Sequence, residues 1–575
     1  MNKQITPIVL YIIFSTLAPA ASSEPVFSKK GMVVSTSRQA SEAGIEILKK
    51  GGNAIDAAVA VGFALAVTSS GNGNIGGGGF MVAAMANGDR FTIDHREKAP
   101  AEAHRDLFLN DSGNVVPGMS LSSRAGCGVP GTVDGLILAL EDYGSGKISL
   151  REALAPAIRL AEKGFNLSHY EARRFNTYEG FFERNEAAAE IFNRKDGKPW
   201  KKGDKFVQHD LAKTLKRIAK YGRDGFYTGP VADLIVEEMK RGNGIISLDD
   251  LKNYSSVYRK PVTGQYKGYN ILSMGPPSSG GTLLINMMNM LENYPIDSLG
   301  WNSSDYIHLI TEVERRAYAD RAEHLGDPDY WDIPVAMLTS KDYARHRIKD
   351  ISLYKATPSS EVSSSGTIGY ESRETTHYSV VDKWGNAVGV TTTINLSYGG
   401  GHLVKGAGFF LNNEMDDFSS KPGVPNAFGL VGNKANAIEP GKRPLSSMTP
   451  TIVLKNGKPF IIIGSPGGST IITTTMQVIL NIIHYNMDIK EAVSSPRFHS
   501  QWLPDVIMTE PRGLSRDVIQ NLELKGHTLV PYKWDTGWIE PKLSEMIKIL
   551  NSTDLPDSNN ACENCAYASQ RSMIE

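Results

Sequence analysis

The hydrophobic pattern of this chain changes character near residue 375. Before it, the readable segments have helical character. Ala40 to Lys50 reads as a helix stopped by Gly51-Gly52, and Asn53 is placed to cap the next one. That next run, Ala54 to Val67, is apolar almost all round, so it belongs at the centre of a fold rather than on its surface. A membrane span is the rival reading, but the run is short and contains Asp56. Residues 150–260 read as largely helical, with a one-sided apolar stripe at Leu211 to Tyr221. After Thr375 the pattern shortens into strands: His377–Asp382, Ala387–Ile394, Gly408–Leu411, Thr449–Lys455 and Phe460–Gly464. Pattern alone therefore gives an α/β or α+β protein with a strand-rich second half.

Between the two halves, Pro358 to Glu374 is Ser-rich, charged and without period. It reads either as a plain linker or as an exposed segment suited to cutting. Its last residue adjoins Thr375-Thr376-His377-Tyr378-Ser379-Val380-Val381-Asp382. An embedded threonine is a poor nucleophile. Cutting the bond before it places an α-amine, with a pKa of about 7.7–8.0, on the same residue as the hydroxyl, and that amine can act as its base. Threonine is also simply common in strands, and the octapeptide alone does not decide between the two readings.

The next residues add a geometric argument. Lys383-Trp384-Gly385-Asn386 is a turn signal between two strands. A hairpin centred on Trp384 sets Thr375 opposite Thr393, at the roughly 4.5–5.5 Å spacing of paired residues. Asn395, two residues further, points to the same face. An ordinary cross-strand threonine pair is the competing account.

Composition narrows the field. Lys and Arg number 61 against 62 Asp and Glu, so the net charge of −1 leaves no footprint for nucleic acid or an anionic membrane. A small molecule or a protein is the expected partner. Lys3, the apolar run Ile8–Phe14 and Ala18-Pro19-Ala20 form a signal-peptide pattern, so residues 1–20 are expected to be removed on export to a periplasm or the medium. Three cysteines make no disulfide framework. Cys127 reads as a small buried residue, and Cys562-x-x-Cys565 as a local disulfide in the tail. Gly76 to Gly79 lacks the Gly-Lys-Ser/Thr of a phosphate loop, no HExxH is present, and neither metal nor cofactor is expected.

Ten blocks carry a resemblance to the gamma-glutamyltransferase (gamma-glutamyltranspeptidase) family of N-terminal-nucleophile hydrolases, bacterial periplasmic type. They are GGNAIDAAVA (51–60), GNIGGGGF (73–80), DHREKAP (94–100), GVPGTVDG (128–135), PPSSGG (276–281), LGDPD (325–329), TTHYSVVD (375–382), NNEMDDF (412–418), PLSSMTPT (444–451) and GSPGGS (464–469). The resemblance spans about Lys30 to Val530. It implies an α+β fold, a four-layer αββα sandwich built jointly by two subunits cut from one precursor. The large subunit would be 21–374 and the small one 375–575, with cleavage between Glu374 and Thr375 and a lid loop at 422–433.

The reaction it implies is transfer of a γ-glutamyl group from glutathione and related donors to water, amino acids or short peptides. Thr375 would be the nucleophile, Thr393 its orienting partner, and the Gly467 and Gly468 N–H groups the oxyanion donors. Arg96, with Ser446 and Ser447, would hold the substrate's α-carboxylate, and Asn395, Glu414 and Asp417 its α-ammonium. Without the family, Arg96 amid Asp94, His95 and Glu97 would read as a surface ion pair and Glu414–Asp417 as a solvated acidic loop. Two stretches depart from the family: Ser69-Ser70-Gly71 replaces a segment that often carries Glu-Pro, and the tail from about Tyr532 lacks the usual ending. A cephalosporin acylase or a poly-γ-glutamate hydrolase on the same scaffold, and an inactive exported glutamyl-binding protein, are the rivals.

Overall fold

The computed structural model describes residues 25–362 and 375–532, except 422, 425, 427–429 and 431, together with the strand backbones of 545–550 and 565–568. The signal-peptide pattern, Glu374 and Cys562 lie outside the described residues, as does the side chain of Cys565.

Two sheets form the centre. The first runs, in spatial order, Gly31–Val34, Thr376–Asp382, Ala387–Thr393, Gly78–Ala84, Arg90–Asp94 and Val257–Arg259. The second runs Val26–Ser28, Cys565–Ala568, Glu545–Leu550, Lys458–Gly464, Thr451–Lys455, Tyr269–Ser273 and Val262–Tyr266. Each sheet combines segments from both sides of residue 375: Thr376–Asp382 pairs with Gly31–Val34, and Thr451–Lys455 with Tyr269–Ser273. Neither half can complete a sheet alone.

Strand alternation creates the layers. Phe80, Val82 and Ala84 of the first sheet meet Leu272, Ile452 and Ile462 of the second, forming an apolar seam between the sheets. The opposite faces, Met81, Ala83, Val388 and Val390, pack on helices that include Ala54–Thr68. On the outer side of the second sheet, Ile271, Val453 and Ile461 pack on Gly280–Leu291, Ser304–His324 and Thr470–Tyr485. Helix, sheet, sheet, helix is the αββα order.

The helices begin where capping chemistry allows. Asn53 accepts from the N–H groups of Ile55 and Asp56, and Asp56 accepts from Asn53 N at 2.8 Å, a reciprocal box. All fifteen residues of Ala54–Thr68 are buried, as their lack of a polar face requires. The helix is also tied to the hairpin turn: Asp382 accepts from Ala54 N at 2.9 Å, placing a carboxylate at the helix N-terminus. Upstream, the helix spans Arg38–Lys49 and Gly51 follows at φ +93°, the left-handed stop its glycine permits.

Most strand expectations hold to within two residues, but Gly408–Leu411 is not a ladder strand. Phe410 makes a single bridge to Leu403, and Gly406 and Gly408, at φ +80° and +79°, turn the chain too sharply for a run of paired residues. The divergent tail contributes the strand backbones of 545–550 and 565–568 to the second sheet.

Candidate active site

The hairpin has the register that places Thr375 beside Thr393. Thr376 pairs with Thr392 and His377 with Thr391, so the next step of the ladder sets Thr375 against Thr393. Thr375 and Thr393 are 5% and 3% exposed. Asn72 donates to the Thr375 carbonyl at 3.4 Å, and Asn74 donates to the Thr393 carbonyl at 2.9 Å and Thr392 Oγ1 at 3.2 Å. The glycine run 76–79 has a packing role here. A Cβ on Gly77 would come within 2.1 Å of the Thr393 carbonyl oxygen, so only glycine lets this segment lie against the strand end.

After Thr393 the chain leaves the sheet. Asn395 takes φ +70°, its N–H donates to Thr393 Oγ1 at 2.8 Å, and its Nδ2 donates to the Asn413 carbonyl at 2.9 Å. Its Oδ1 is buried with no hydrogen-bond partner.

Thr375, Thr393 and Asn395 line a cleft of about 330 Å³, its mouth included, with Glu414, Asp417, Ser446, Ser447 and Gly468. Leu430, Leu445, Met448 and Ile471 add apolar wall; Leu430 comes from the expected lid segment. Seven residues singled out from the sequence thus meet at one place with Thr375, although they are spread over nearly a hundred positions. Gly467, φ +138°, and Gly468, φ +57°, lead into the helix Thr470–Tyr485.

Arg96 is fully buried and stands behind this wall rather than on it. Its two terminal nitrogens donate to Glu414 and Asp417, its Nε donates to the Pro444 carbonyl at 3.2 Å, and Glu97 lies 3.4 Å away. Asp94 holds the Arg96 N–H at 3.0 Å and is itself anchored by Arg259 at 2.7 Å. Three carboxyl groups therefore surround one guanidinium. Burial pushes Glu414 and Asp417 above the usual carboxylate range and Glu97 up to about 7, against the pull of Arg96. Glu414 Oε2 and Glu97 Oε1 are buried without partners. Such a cluster has acceptor capacity to spare and suits an incoming cation.

His377 plays no part in the cleft. It is buried in the sheet between Thr391 Oγ1 at 2.8 Å and Ser379 Oγ at 3.0 Å, and burial holds its pKa down to about 3. Cys127 is a free buried thiol pushed up to about 12 by burial. Elsewhere, His308, Glu312 and His527 bring donor atoms together, but Glu312 is bound by Arg315 and Arg316 and the two imidazoles hydrogen-bond each other at 2.7 Å.

Sequence reading missed several cleft residues: Arg321, Leu445, Met448, Ser469 and Ile471. Met448 lies inside a quoted block and Ser469 ends another, so their neighbours were the available signal. Arg321 belongs to a helix buried on nearly every side, where a residue facing a cleft leaves no periodic trace.

Known proteins resemble this chain over most of its length. The chain is 49% identical over 502 residues to a glutathione hydrolase proenzyme of Escherichia coli K12, covering 87% of this chain and 86% of that one. The solved Helicobacter pylori gamma-glutamyltranspeptidase is 45% identical with a TM-score of 0.57, over 58% of this chain and 96% of its own. A cephalosporin acylase from Bacillus halodurans, 24% identical, shares the fold over 98% of this chain and 97% of its own at a TM-score of 0.82. The family model for gamma-glutamyltranspeptidase matches residues 40–548, and with the hairpin, the cleft and these relatives the chain belongs to the gamma-glutamyltranspeptidase family.

Proposed function

We infer that the protein is a self-cleaving γ-glutamyltransferase and glutathione hydrolase, which takes the γ-glutamyl group from glutathione and related donors through an acyl-enzyme on Thr375. The observation that carries the substrate assignment is the pair of orphaned acceptors at the cleft. Asn395 Oδ1 and Glu414 Oε2 are buried and unpartnered, and both residues line the cavity that Thr375 faces. A buried acceptor left unpaired costs about 1–3 kcal/mol, which a donor-rich ammonium would recover.

In maturation, Thr375 Oγ attacks the carbonyl carbon of Glu374. The acyl group shifts from nitrogen to oxygen, and water hydrolyses the ester, freeing the Thr375 α-amine. In turnover, that amine takes the hydroxyl proton as Oγ attacks the donor's γ-carbonyl, and the N–H groups of Gly467 and Gly468 receive the oxyanion. The proton passes to the leaving amine. Water, an amino acid or a short peptide then attacks the acyl-enzyme and restores Thr375. The Thr393 hydroxyl orients the nucleophile.

The donor's head binds by exchange of ion-pair partners. Its α-ammonium takes over Glu414, Asp417 and Asn395 Oδ1, and its α-carboxylate takes the released fork of Arg96 together with the Ser446 and Ser447 hydroxyls. Leu430, from the expected lid segment, adds apolar wall beside the bound donor. Removal of residues 1–20 and export complete the reading; among the described residues no helix is long and apolar enough to cross a membrane.

Intact-mass analysis of the mature protein beside Thr375→Ala tests the scheme. From 62.6 kDa over 575 residues, the wild type is expected as pieces of roughly 39 and 22 kDa that copurify because they share one core. Thr375→Ala is expected as a single inactive chain, and Thr375→Ser still splits. Normal cleavage of protease-free Thr375→Ala would remove self-processing by this residue.

A further inference from the structure

Arg321 stands on the cleft wall with no role in the scheme above. It lies in the last turn of the buried helix Ser304–His324 and is 4% exposed. Its Nε donates to Ser279 Oγ at 3.0 Å and its Nη2 to Ser447 Oγ at 3.4 Å. Ser279 in turn donates through both its N–H and its hydroxyl to the Ser446 carbonyl, each at 2.8 Å. One guanidinium and one serine thus brace the Ser446-Ser447 step from behind.

The chemistry of this bracing is directional. A serine hydroxyl has one hydrogen and two lone pairs. Once Ser447 Oγ accepts from Arg321, its hydrogen turns away from the guanidinium, and Ser447 faces the cleft. The charge balance points the same way. Glu414 and Asp417 are on the wall, whereas Arg96 lies behind them and is engaged by both. Without Arg321 a donor head would meet a net negative wall. With it, the wall itself presents a cation beside Glu414 and Asp417, as a zwitterion carrying one charge of each sign requires.

We propose that Arg321 is a positioning residue for donor recognition, which orients the Ser447 hydroxyl and adds a second positive charge on the side of the cleft that receives the α-carboxylate. The inference rests on the γ-glutamyl reading of the cleft. It differs from a structural role in one measurable respect: the effect requires the donor's α-carboxylate.

The test compares γ-glutamyl-p-nitroanilide with 4-aminobutyryl-p-nitroanilide, the same donor without its α-carboxylate, on processed wild type, Arg321→Gln, Arg321→Lys and Arg96→Gln. For Arg321→Gln, KM for the carboxylated donor is expected to rise about 10-fold or more with kcat changed little, and kcat/KM for the truncated donor to stay at the wild-type value. Arg321→Lys is expected to recover part of the loss, since it keeps the charge without the fork. Equal losses with both donors, or none with either, overturn the proposal. If Arg321→Gln does not mature, Arg321→Lys carries the comparison, and failure of both to mature assigns Arg321 to the fold and overturns it too. Arg96→Gln separates the two levels. Carboxylate-dependent loss in Arg96→Gln alone sinks only the role of Arg321, and its absence in both sinks the γ-glutamyl reading.

Discussion

The hairpin that carries Thr375 and the loops that carry Glu414, Asp417 and Ser446-Ser447 line the same cleft but are built on opposite principles. The hairpin is a ladder. Thr376–Asp382 and Ala387–Thr393 are paired in register, flanked by Gly31–Val34 and Gly78–Ala84, and buried along their whole length. Its polar side chains are satisfied inside the sheet, as the two hydrogen bonds of His377 show. The pocket is assembled from loops and helix ends: Arg96 after one strand, Asn395 after another, Glu414–Asp417 in a short 3₁₀ turn, Ser446-Ser447 in a loop. It keeps charges at close quarters and leaves acceptors unpaired. Backbone pairing holds the proposed nucleophile in place with little dependence on side chains. Recognition of a small zwitterion needs charges whose partners can be exchanged, and loops can bring those from distant parts of the chain.

If this contrast is correct, changes in the hairpin alter chemistry and changes in the pocket alter binding. The largest effect belongs to Thr375→Ala, expected to abolish both chain cleavage and turnover, as read by gel and by release of p-nitroaniline. Next is Arg96→Gln. In the proposed function Arg96 is a charged, buried partner of the α-carboxylate, an interaction worth about 1.5–3 kcal/mol or more, so KM for γ-glutamyl donors is expected to rise by roughly 10- to 150-fold. Chain cleavage stays intact, because maturation does not use the α-carboxylate. Substantial loss of cleavage in Arg96→Gln breaks the separation between the two regions.

Glu414→Gln keeps an acceptor and removes a charge, so a smaller rise in KM, about 3- to 10-fold, is expected from the steady-state kinetics. Arg96 keeps Asp417 as a partner in that variant. An effect on kcat with KM unchanged places Glu414 in the chemistry instead.

The smallest effect on catalysis is assigned to His377. With its pKa near 3 it is neutral at every working pH, so it supplies no titration to the rate. The ascending limb of kcat/KM, which the proposed Thr375 amine base would set near pH 7–8, is expected to persist in His377→Ala. Its disappearance with cleavage complete moves the general base to His377. Stability is where this residue titrates. His377 near 3, and His95 and His499 near 4, lie below the ordinary 6.5 because burial opposes their charge. As pH falls below about 6.5 the unfolded chain takes up protons at these histidines that the folded one refuses, so their contribution to stability declines towards pH 4. Glu97, Glu414 and Asp417, raised by burial, act in the opposite direction, so the expected signature is differential: between pH 7 and pH 5 the Tm of the wild type falls relative to that of His377→Ala.

The sequence was informative wherever local rules decide structure. Asn53 with Asp56 announced a helix start, and an apolar run without a polar face announced a central helix. The turn at Lys383-Trp384-Gly385-Asn386 fixed a register in which every later pairing follows from the first. Motif blocks held Thr375, Glu414, Asp417, Ser446, Ser447 and Gly468 because each block is short and continuous, and the hairpin register added Thr393 and Asn395. Failure came where local signals mislead. Gly408–Leu411 has a strand's composition, yet Gly406 and Gly408 at positive φ bend the chain out of any ladder.

What the tertiary structure alone decided is arrangement across long separations. Arg96 meets Glu414 and Asp417 across more than three hundred residues, and it does so from behind the cleft wall. Arg321 reaches Ser447 across 126 residues from a helix with no exposed face to mark it. Periodicity records which side of an element meets apolar surroundings, and caps and turns record where it begins and ends. Neither records which polar atom remains unpaired once two sheets and their helices have closed around it, because that depends on the whole packed assembly.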